Sequence, residues 1–224
     1  DLIHGYIILY LYDSGNTYGL ISKSWEVNEI EKAEILVWNS IHDIIPSEFF
    51  TKYDSYEYVW NGNCFEWYYA IAKIIKPKTF MEIGVRFGFS FLPILMGSEE
   101  LEYALGWDLE TYGNNRIANE NIRSYYNGNC KWEIKHVDSQ SEKELPQFFD
   151  LVSIDGCHDY NCKIHDLNMA MKNSKYVILD DYDYHTDVRN SVSQFMRDNV
   201  KSIDWALYLP TFRGSQLIKF KDEL

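Results

Sequence analysis

The sequence Thr79-Phe-Met-Glu-Ile-Gly-Val-Arg-Phe-Gly-Phe-Ser90 decides the fold. Its first five residues form a short apolar run with the length and composition of a buried β-strand. Two glycines follow, and the segment from Phe89 to Met96 has the apolar density of a helix. This order of strand, glycine turn and helix predicts a cofactor pocket, because glycine lets a ligand approach the backbone and the helix start offers unpaired N–H groups.

The glycine spacing limits which cofactor this turn can hold. Gly84 and Gly88 are four positions apart, and Glu82 precedes them within the same motif. Dinucleotide-binding folds have the pattern G-x-G-x-x-G instead. We therefore disfavour a nicotinamide or flavin, although the two glycines alone are also compatible with an ordinary turn that binds nothing.

Composition excludes two classes of partner. The 224 residues include 21 basic and 34 acidic side chains, which gives a net charge of −13. Such a surface repels phosphate backbones and anionic lipids, so we expect neither nucleic acid nor membrane as a partner. Four cysteines are too few for a disulfide scaffold of this size and indicate a reduced, cytoplasmic protein. The terminal Lys-Asp-Glu-Leu resembles an ER-retention signal, but without a visible signal peptide we interpret it as coincidental.

The N-terminal part carries no chemical motif, and we predict two regions, an extension at 1–62 and the main domain at 63–224. Apolar segments at 7–12 and 18–22 flank a turn-forming sequence and predict a hairpin. An amphipathic pattern at 26–45 predicts a helix. We interpret the extension as a cap or as a homo-oligomerisation element.

From residue 65 onward, predicted helices and strands alternate. After a helix at 65–75, the strands are predicted at 79–83, 103–107, 132–136, 151–154, 176–179, 205–209 and 216–220. The helices between them are predicted at 89–97, 114–126, 140–147, 160–172 and 187–199. This alternation predicts an α/β fold with a doubly wound, mostly parallel seven-stranded sheet. The last two strands are joined by too few residues for a crossover, so the last strand must be antiparallel.

Ligands of open α/β sheets bind beyond the carboxyl ends of the strands. Five predicted strands end in acidic or hydrogen-bonding residues, which we expect to meet at one edge. Asp108 lies about 20 residues beyond the glycines, where an acidic residue grips ribose hydroxyls, and this predicts a nucleoside cofactor. Ser139 and Gln140 would then face the base.

A second group of strand-end residues predicts a metal. Three carboxylates can lie close together here, those of Asp155, Asp180 and Asp181. Such hard oxygen ligands suit Mg²⁺ or Ca²⁺. His158 lies three residues past Asp155, where a general base would be placed. The alternative is that Asp180 and Asp181 simply begin a turn.

These motifs resemble those of the class I S-adenosylmethionine-dependent methyltransferases, which have a Rossmann-like fold. Glu82-x-Gly84-x-Arg86-x-Gly88-x-Ser90 is similar to their first motif, and the segment 153–160 resembles the I-D-G-x-H signature of a bacterial subgroup. That subgroup includes macrolide-sugar O-methyltransferases and proteins of cephalosporin biosynthesis. The chain departs from the family at 173–175, where a glycine pair is usual.

The resemblance implies a role for each motif residue. Residues Glu82, Gly84, Gly88 and Ser90 would hold the methionine and ribose part of the cofactor, Asp108 the ribose, and Asp138, Ser139 and Gln140 the adenine side. As in the catechol-type enzymes that the strand ends also resemble, Asp155, Asp180 and Asp181 would hold Mg²⁺. His158 would be the base.

The implied reaction is methyl transfer from S-adenosylmethionine to a hydroxyl of a small molecule. Two-point chelation by Mg²⁺ suits a sugar or another vicinal diol. Two alternatives stay open at this point. One is a metal-independent methyltransferase that uses His158 or His185, and the other is a non-catalytic binding module on the same fold.

Overall fold

The computed structural model describes residues 11–13, 16–18, 64–110, 113–209, 211 and 213–222. Strands β1 (Leu11–Asp13) and β2 (Asn16–Tyr18) form an antiparallel pair in which Leu11 lies opposite Tyr18. The predicted hairpin is therefore present, and the rest of the two segments at 7–12 and 18–22 lies outside the described residues. The predicted helix at 26–45 lies outside the described residues.

A seven-stranded sheet forms the centre of the main domain. Its strands are β3 (Thr79–Ile83), β4 (Tyr103–Asp108), β5 (Lys131–His136), β6 (Phe149–Ile154), β7 (Ser174–Leu179), β8 (Ile203–Leu209) and β9 (Ser215–Phe220). They lie in the order β5-β4-β3-β6-β7-β9-β8. Six strands share one direction, and β9 runs antiparallel between β7 and β8. The predicted fold class is confirmed.

In the part of the chain that the structure describes, five helices flank the strands: α1 (Cys64–Ile75), α2 (Phe91–Gly97), α3 (Asn114–Tyr125), α4 (Tyr160–Asn173) and α5 (Thr186–Asp198). Helix α1 packs on α2, and α4 packs on α5. None of these helices combines the length and apolar character that crossing a membrane requires.

The prediction of a helix at 140–147 is wrong. The structure has only a 3₁₀ turn at Ser139–Ser141, where the Asp138 side chain accepts a hydrogen bond from the Gln140 N–H. From 140 to 148 only Leu145 is buried. One buried side chain gives a helix too little apolar contact with the core to form there.

A hydrogen-bonded junction fixes the register of the two central strands at their amino ends. Asp150 Oδ2 accepts from the Lys78 and Thr79 N–H groups at 2.7 and 3.0 Å. Thr79 Oγ1 in turn accepts from the Asp150 N–H at 2.9 Å. The buried side chains of β3 are therefore held opposite those of β6, and both strands end at the same edge.

The close approach of α1 and α2 depends on Gly97. A Cβ atom at this position would lie 2.6 Å from the Tyr69 carbonyl oxygen and 2.7 Å from Ala72 Cβ. We expect Gly97→Val to lower the free energy of unfolding by about 1–3 kcal/mol through overpacking. Urea denaturation would measure this change. Glu99→Ala, at a side chain that is 86% exposed, is the control and should have little effect. Equal stability of the two variants would contradict the tight contact.

Candidate functional site

The turn between β3 and α2 curls tightly against the end of β6. Gly84, Arg86 and Gly88 all have positive φ angles, of 92°, 49° and 83°. A Cβ at Gly84 would lie 2.5 Å from the Asp155 carbonyl oxygen, so only glycine fits there. The strained Arg86 backbone is stabilised by a bond from its N–H to Asp108 Oδ2 at 2.7 Å.

Asp108 joins two loops at the end of β4. Besides the Arg86 N–H, its carboxylate accepts the Glu110 N–H through Oδ1 at 3.0 Å. Each carboxylate oxygen can accept a further hydrogen bond. The carboxylate is thus held in a fixed orientation beside the glycine turn. Its role as a ribose ligand stays a prediction.

Glu82 is a buried carboxyl group with unused hydrogen-bonding capacity. The residue is fully buried, and neither carboxyl oxygen has a hydrogen-bond partner among the described residues. Burial raises the pKa of Glu82 to about 8, against the opposing effect of the nearby Ser90 and Ser153 hydroxyls. Buried polar atoms without partners are rare and indicate a missing donor. This group fits an amino or hydroxyl donor on a bound ligand, as the sequence implied for the cofactor.

The segment expected to approach an adenine is folded against α4. Ser139 is buried, and the Gln140 amide Nε2 donates to Asp166 Oδ1 at 3.0 Å. His165 Nε2 lies 3.0 Å from the Ser139 carbonyl oxygen. These contacts fix the backbone after Asp138, while the adenine role of all three predicted residues stays a prediction.

Two of the predicted metal ligands, the partly buried Asp155 and the buried Asp180, lie in one acidic region. Burial and the neighbouring carboxylates raise the pKa of Asp155, and burial together with Asp181 raises the pKa of Asp180. Asp180 Oδ1 accepts a hydrogen bond from Ser215 Oγ at 2.8 Å. The buried Lys163 lowers the pKa of Asp155 by its charge. A further cation would stabilise this region.

Asp181 has positively charged or basic partners at both oxygens. Its Oδ2 lies 2.8 Å from His158 Nε2, a close contact without hydrogen-bond geometry, and its Oδ1 accepts a hydrogen bond from the Arg213 guanidinium at 3.1 Å. Burial alone would raise the pKa of Asp181, but His158 and Arg213 together bring it below its usual value. Asp181 also has a φ angle of 61°, a strained conformation that is typical of functional sites.

The arrangement of possible metal ligands differs from the predicted one. Two groups within the described ranges have all their ligand atoms within 4.8 Å of one another: His158 with Asp181 and His185, and Cys157 with Asp159 and Cys162. Asp155 and Asp180 belong to neither group. Because both Asp181 oxygens already face basic side chains, the three predicted aspartates do not form an open Mg²⁺ site as they stand.

Sequence reasoning missed Arg213 and named His185 only as an alternative to His158. The His185 ring stacks on His158 with centroids 4.3 Å apart, and Arg213 lies 4.8 Å from the centroid of the Tyr184 ring. Neither His185 nor Arg213 belongs to a sequence motif. The position of the β8–β9 turn was a usable signal for Arg213, since β9 starts at the edge where the parallel strands end.

Residues 81–182 match the family model described as a methyltransferase domain. The solved structures that this fold resembles include an O-methyltransferase from Bacillus cereus in complex with SAH (18% identity, TM-score 0.56, covering 90% of this chain and 93% of that one). An SAH-bound methyltransferase from Podospora anserina is similar at 19% identity (TM-score 0.58, 92% and 100% covered). A third is a putative caffeoyl-CoA O-methyltransferase from Staphylococcus aureus at 14% identity (TM-score 0.59, 87% and 100% covered).

The chain has the class I methyltransferase fold. The family model matches fewer than half of the residues, and these structures are all below 25% identity, so the comparisons show the fold alone. A search of curated protein sequences gave no significant match. The subgroup therefore has to be inferred from the residues of the site.

The raised pKa of Glu82 predicts a pH dependence of stability in the protein without ligand. Between its ordinary pKa of 4.5 and about 8, the folded state keeps this proton and the unfolded state loses it. Stability from this group therefore falls as the pH rises, by about 1.4 kcal/mol per pH unit. Glu82→Gln removes this dependence, so we expect the variant to gain stability relative to the wild type from pH 5 to pH 8.

Urea denaturation at several pH values would measure this difference. Glu99→Gln is the matched control at an exposed position. Wild-type and Glu82→Gln curves that stay parallel across this pH range would show that Glu82 is ionised in the folded protein.

Proposed function

We propose that this protein is an S-adenosylmethionine-dependent O-methyltransferase that acts on a hydroxyl group of a small molecule. One observation carries the proposal: an imidazole and a carboxylate, His158 and Asp181, are paired at the edge of the sheet where the glycine turn lies. Such a pair can act as the general base that removes the proton of a hydroxyl. The O-methyltransferases among the similar structures support the same chemistry.

The cofactor would occupy the glycine turn and the ends of β4 and β5. Bound S-adenosylmethionine supplies an activated methyl group. Glu82 would accept hydrogen bonds from its methionine end through the two oxygens without partners. Asp108 would bind the ribose, and Gly84, Gly88 and Ser90 would let the cofactor approach the backbone. Asp138, Ser139 and Gln140 would border the adenine.

His158 would accept the proton of the acceptor hydroxyl. Its Nε2 faces Asp181, so Nδ1 is the nitrogen that takes the proton. Asp181 holds the ring in this orientation and stabilises the imidazolium that forms, as a carboxylate does for other catalytic histidines. The His158 side chain is 41% exposed, which leaves the ring accessible to an acceptor.

The proposed reaction can take two forms, one assisted by Mg²⁺ and one without a metal ion. In the first, Asp155, Asp180 and Asp181 hold Mg²⁺, which suits a sugar or another vicinal diol. This form requires Asp181 to release Arg213. In the second, no metal takes part and the contacts of Asp181 remain as they are. The ion pair between Arg213 and Asp181 favours the second form.

The cofactor assignment predicts a loss of affinity in Asp108→Ala. We expect S-adenosylmethionine binding to weaken by about 1.5–3 kcal/mol, the scale of hydrogen bonds to a charged group. Isothermal titration calorimetry would measure this change. Asp198→Ala, at the far end of α5, is the control and should bind normally. Absence of binding to the wild type would instead favour a non-catalytic module.

The base assignment predicts a loss of rate in His158→Ala. We expect methyl transfer to fall by about 10²–10⁴-fold, the usual contribution of a general base, with cofactor affinity preserved. Release of SAH in the presence of a catechol or a methyl glycoside would report the rate. His185→Ala should lose less, because its Nε2 lies 4.0 Å from Asp181. A larger loss in His185→Ala would reverse the assignment, and a rate abolished by EDTA would support the Mg²⁺ form.

A further inference from the structure

We propose that Arg213 supplies, from within the chain, the positive charge that the acidic edge of the sheet would otherwise take from Mg²⁺. This inference rests on the proposed function, because it concerns the acceptor end of the same site. In this proposal the guanidinium remains in the site and repels a divalent cation.

Three neighbouring aspartates at the edge favour a nearby positive charge. Asp155, Asp180 and Asp181 follow two adjacent strands, β6 and β7, and all three attract the Arg213 guanidinium. The direct contact is the 3.1 Å hydrogen bond from Arg213 to Asp181 Oδ1. A divalent ion bound by these carboxylates would have to displace or repel the guanidinium, since both carry positive charge.

The backbone holds Arg213 in place. The Asp183 N–H donates to the Arg213 carbonyl at 2.8 Å, and the Tyr182 N–H donates to the Gly214 carbonyl at 2.9 Å. These bonds attach the β8–β9 turn to the loop after β7. Asp183 is itself fixed, because its carboxylate accepts from the Tyr208 hydroxyl at 2.5 Å and from Arg189 at 3.1 Å. The backbone of Arg213 is therefore held in place by these hydrogen bonds.

The side chain is oriented on both sides. Its guanidinium lies over the Tyr184 ring on one side and bonds to Asp181 on the other. The side chain is 38% exposed, so part of the planar group reaches the surface beside His158. A guanidinium has five N–H donors and stays charged at any physiological pH. It can thus stabilise the negative charge that develops on an acceptor oxygen as His158 removes its proton.

The experiment measures Mn²⁺ binding by electron paramagnetic resonance, in which the free ion gives a signal that binding removes. With the full chain, we expect weak binding to the wild type and an affinity at least about tenfold higher for Arg213→Ala, since one repelling charge is removed. Arg213→Lys keeps the charge and should behave as the wild type. Arg116→Ala is the matched control, because Arg116 pairs with Glu120 on α3 rather than with the three aspartates or the β8–β9 turn.

Two results would overturn the proposal. One is tight Mn²⁺ binding to the wild type that Asp155→Asn abolishes, which would show a metal site despite Arg213. The other is no gain of Mn²⁺ affinity in Arg213→Ala. If that variant fails to fold, Arg213→Met keeps apolar contact with Tyr184 and replaces it. Calorimetry of S-adenosylmethionine binding to the same samples separates the two proposals. Absence of binding to the wild type would overturn the proposed function and would not change the Mn²⁺ result.

Discussion

The placement of four carboxyl groups at one edge of the sheet governs this structure. Glu82, Asp155, Asp180 and Asp181 all come from the carboxyl ends of central strands, and all are buried except Asp155, which is partly buried. Removing such groups from water is unfavourable unless hydrogen bonds or opposite charges compensate them. Each is compensated differently: Asp155 by the charge of Lys163, Asp180 by a hydroxyl and Asp181 by basic side chains, whereas Glu82 has no hydrogen-bond partner within the described part of the chain. The incomplete compensation is what gives this edge its capacity to bind ligands.

The sequence predicts the sheet well because buried parallel strands are short apolar runs. The strand at Thr79–Ile83 has the predicted bounds, and the other six differ from prediction by at most two residues at either end. The segment 140–147 fails because a helical pattern without buried contacts does not form a helix. Its single buried residue, Leu145, is visible only once the fold is known.

The sequence predicts the position of those site residues that lie at the ends of the parallel strands. Asp108, Asp155 and Asp181 could be assigned to one edge because strand ends in a parallel sheet share it. Their partners could not be assigned in this way. Arg213 comes from a turn about 30 residues later in the chain, and His185 is placed by the start of α5. Such contacts depend on how distant segments meet, and no local pattern records that.

The insertion of β9 between β7 and β8 has a consequence for the order in which the site is completed. All four carboxyl groups are present once the chain has been synthesised as far as Asp181, but Arg213 lies in the later turn between β8 and β9. Until that turn is synthesised, the carboxyl groups are without their arginine. Pairing of β9 with β7 therefore brings Arg213 to Asp181 in the same step that places β9 in the sheet.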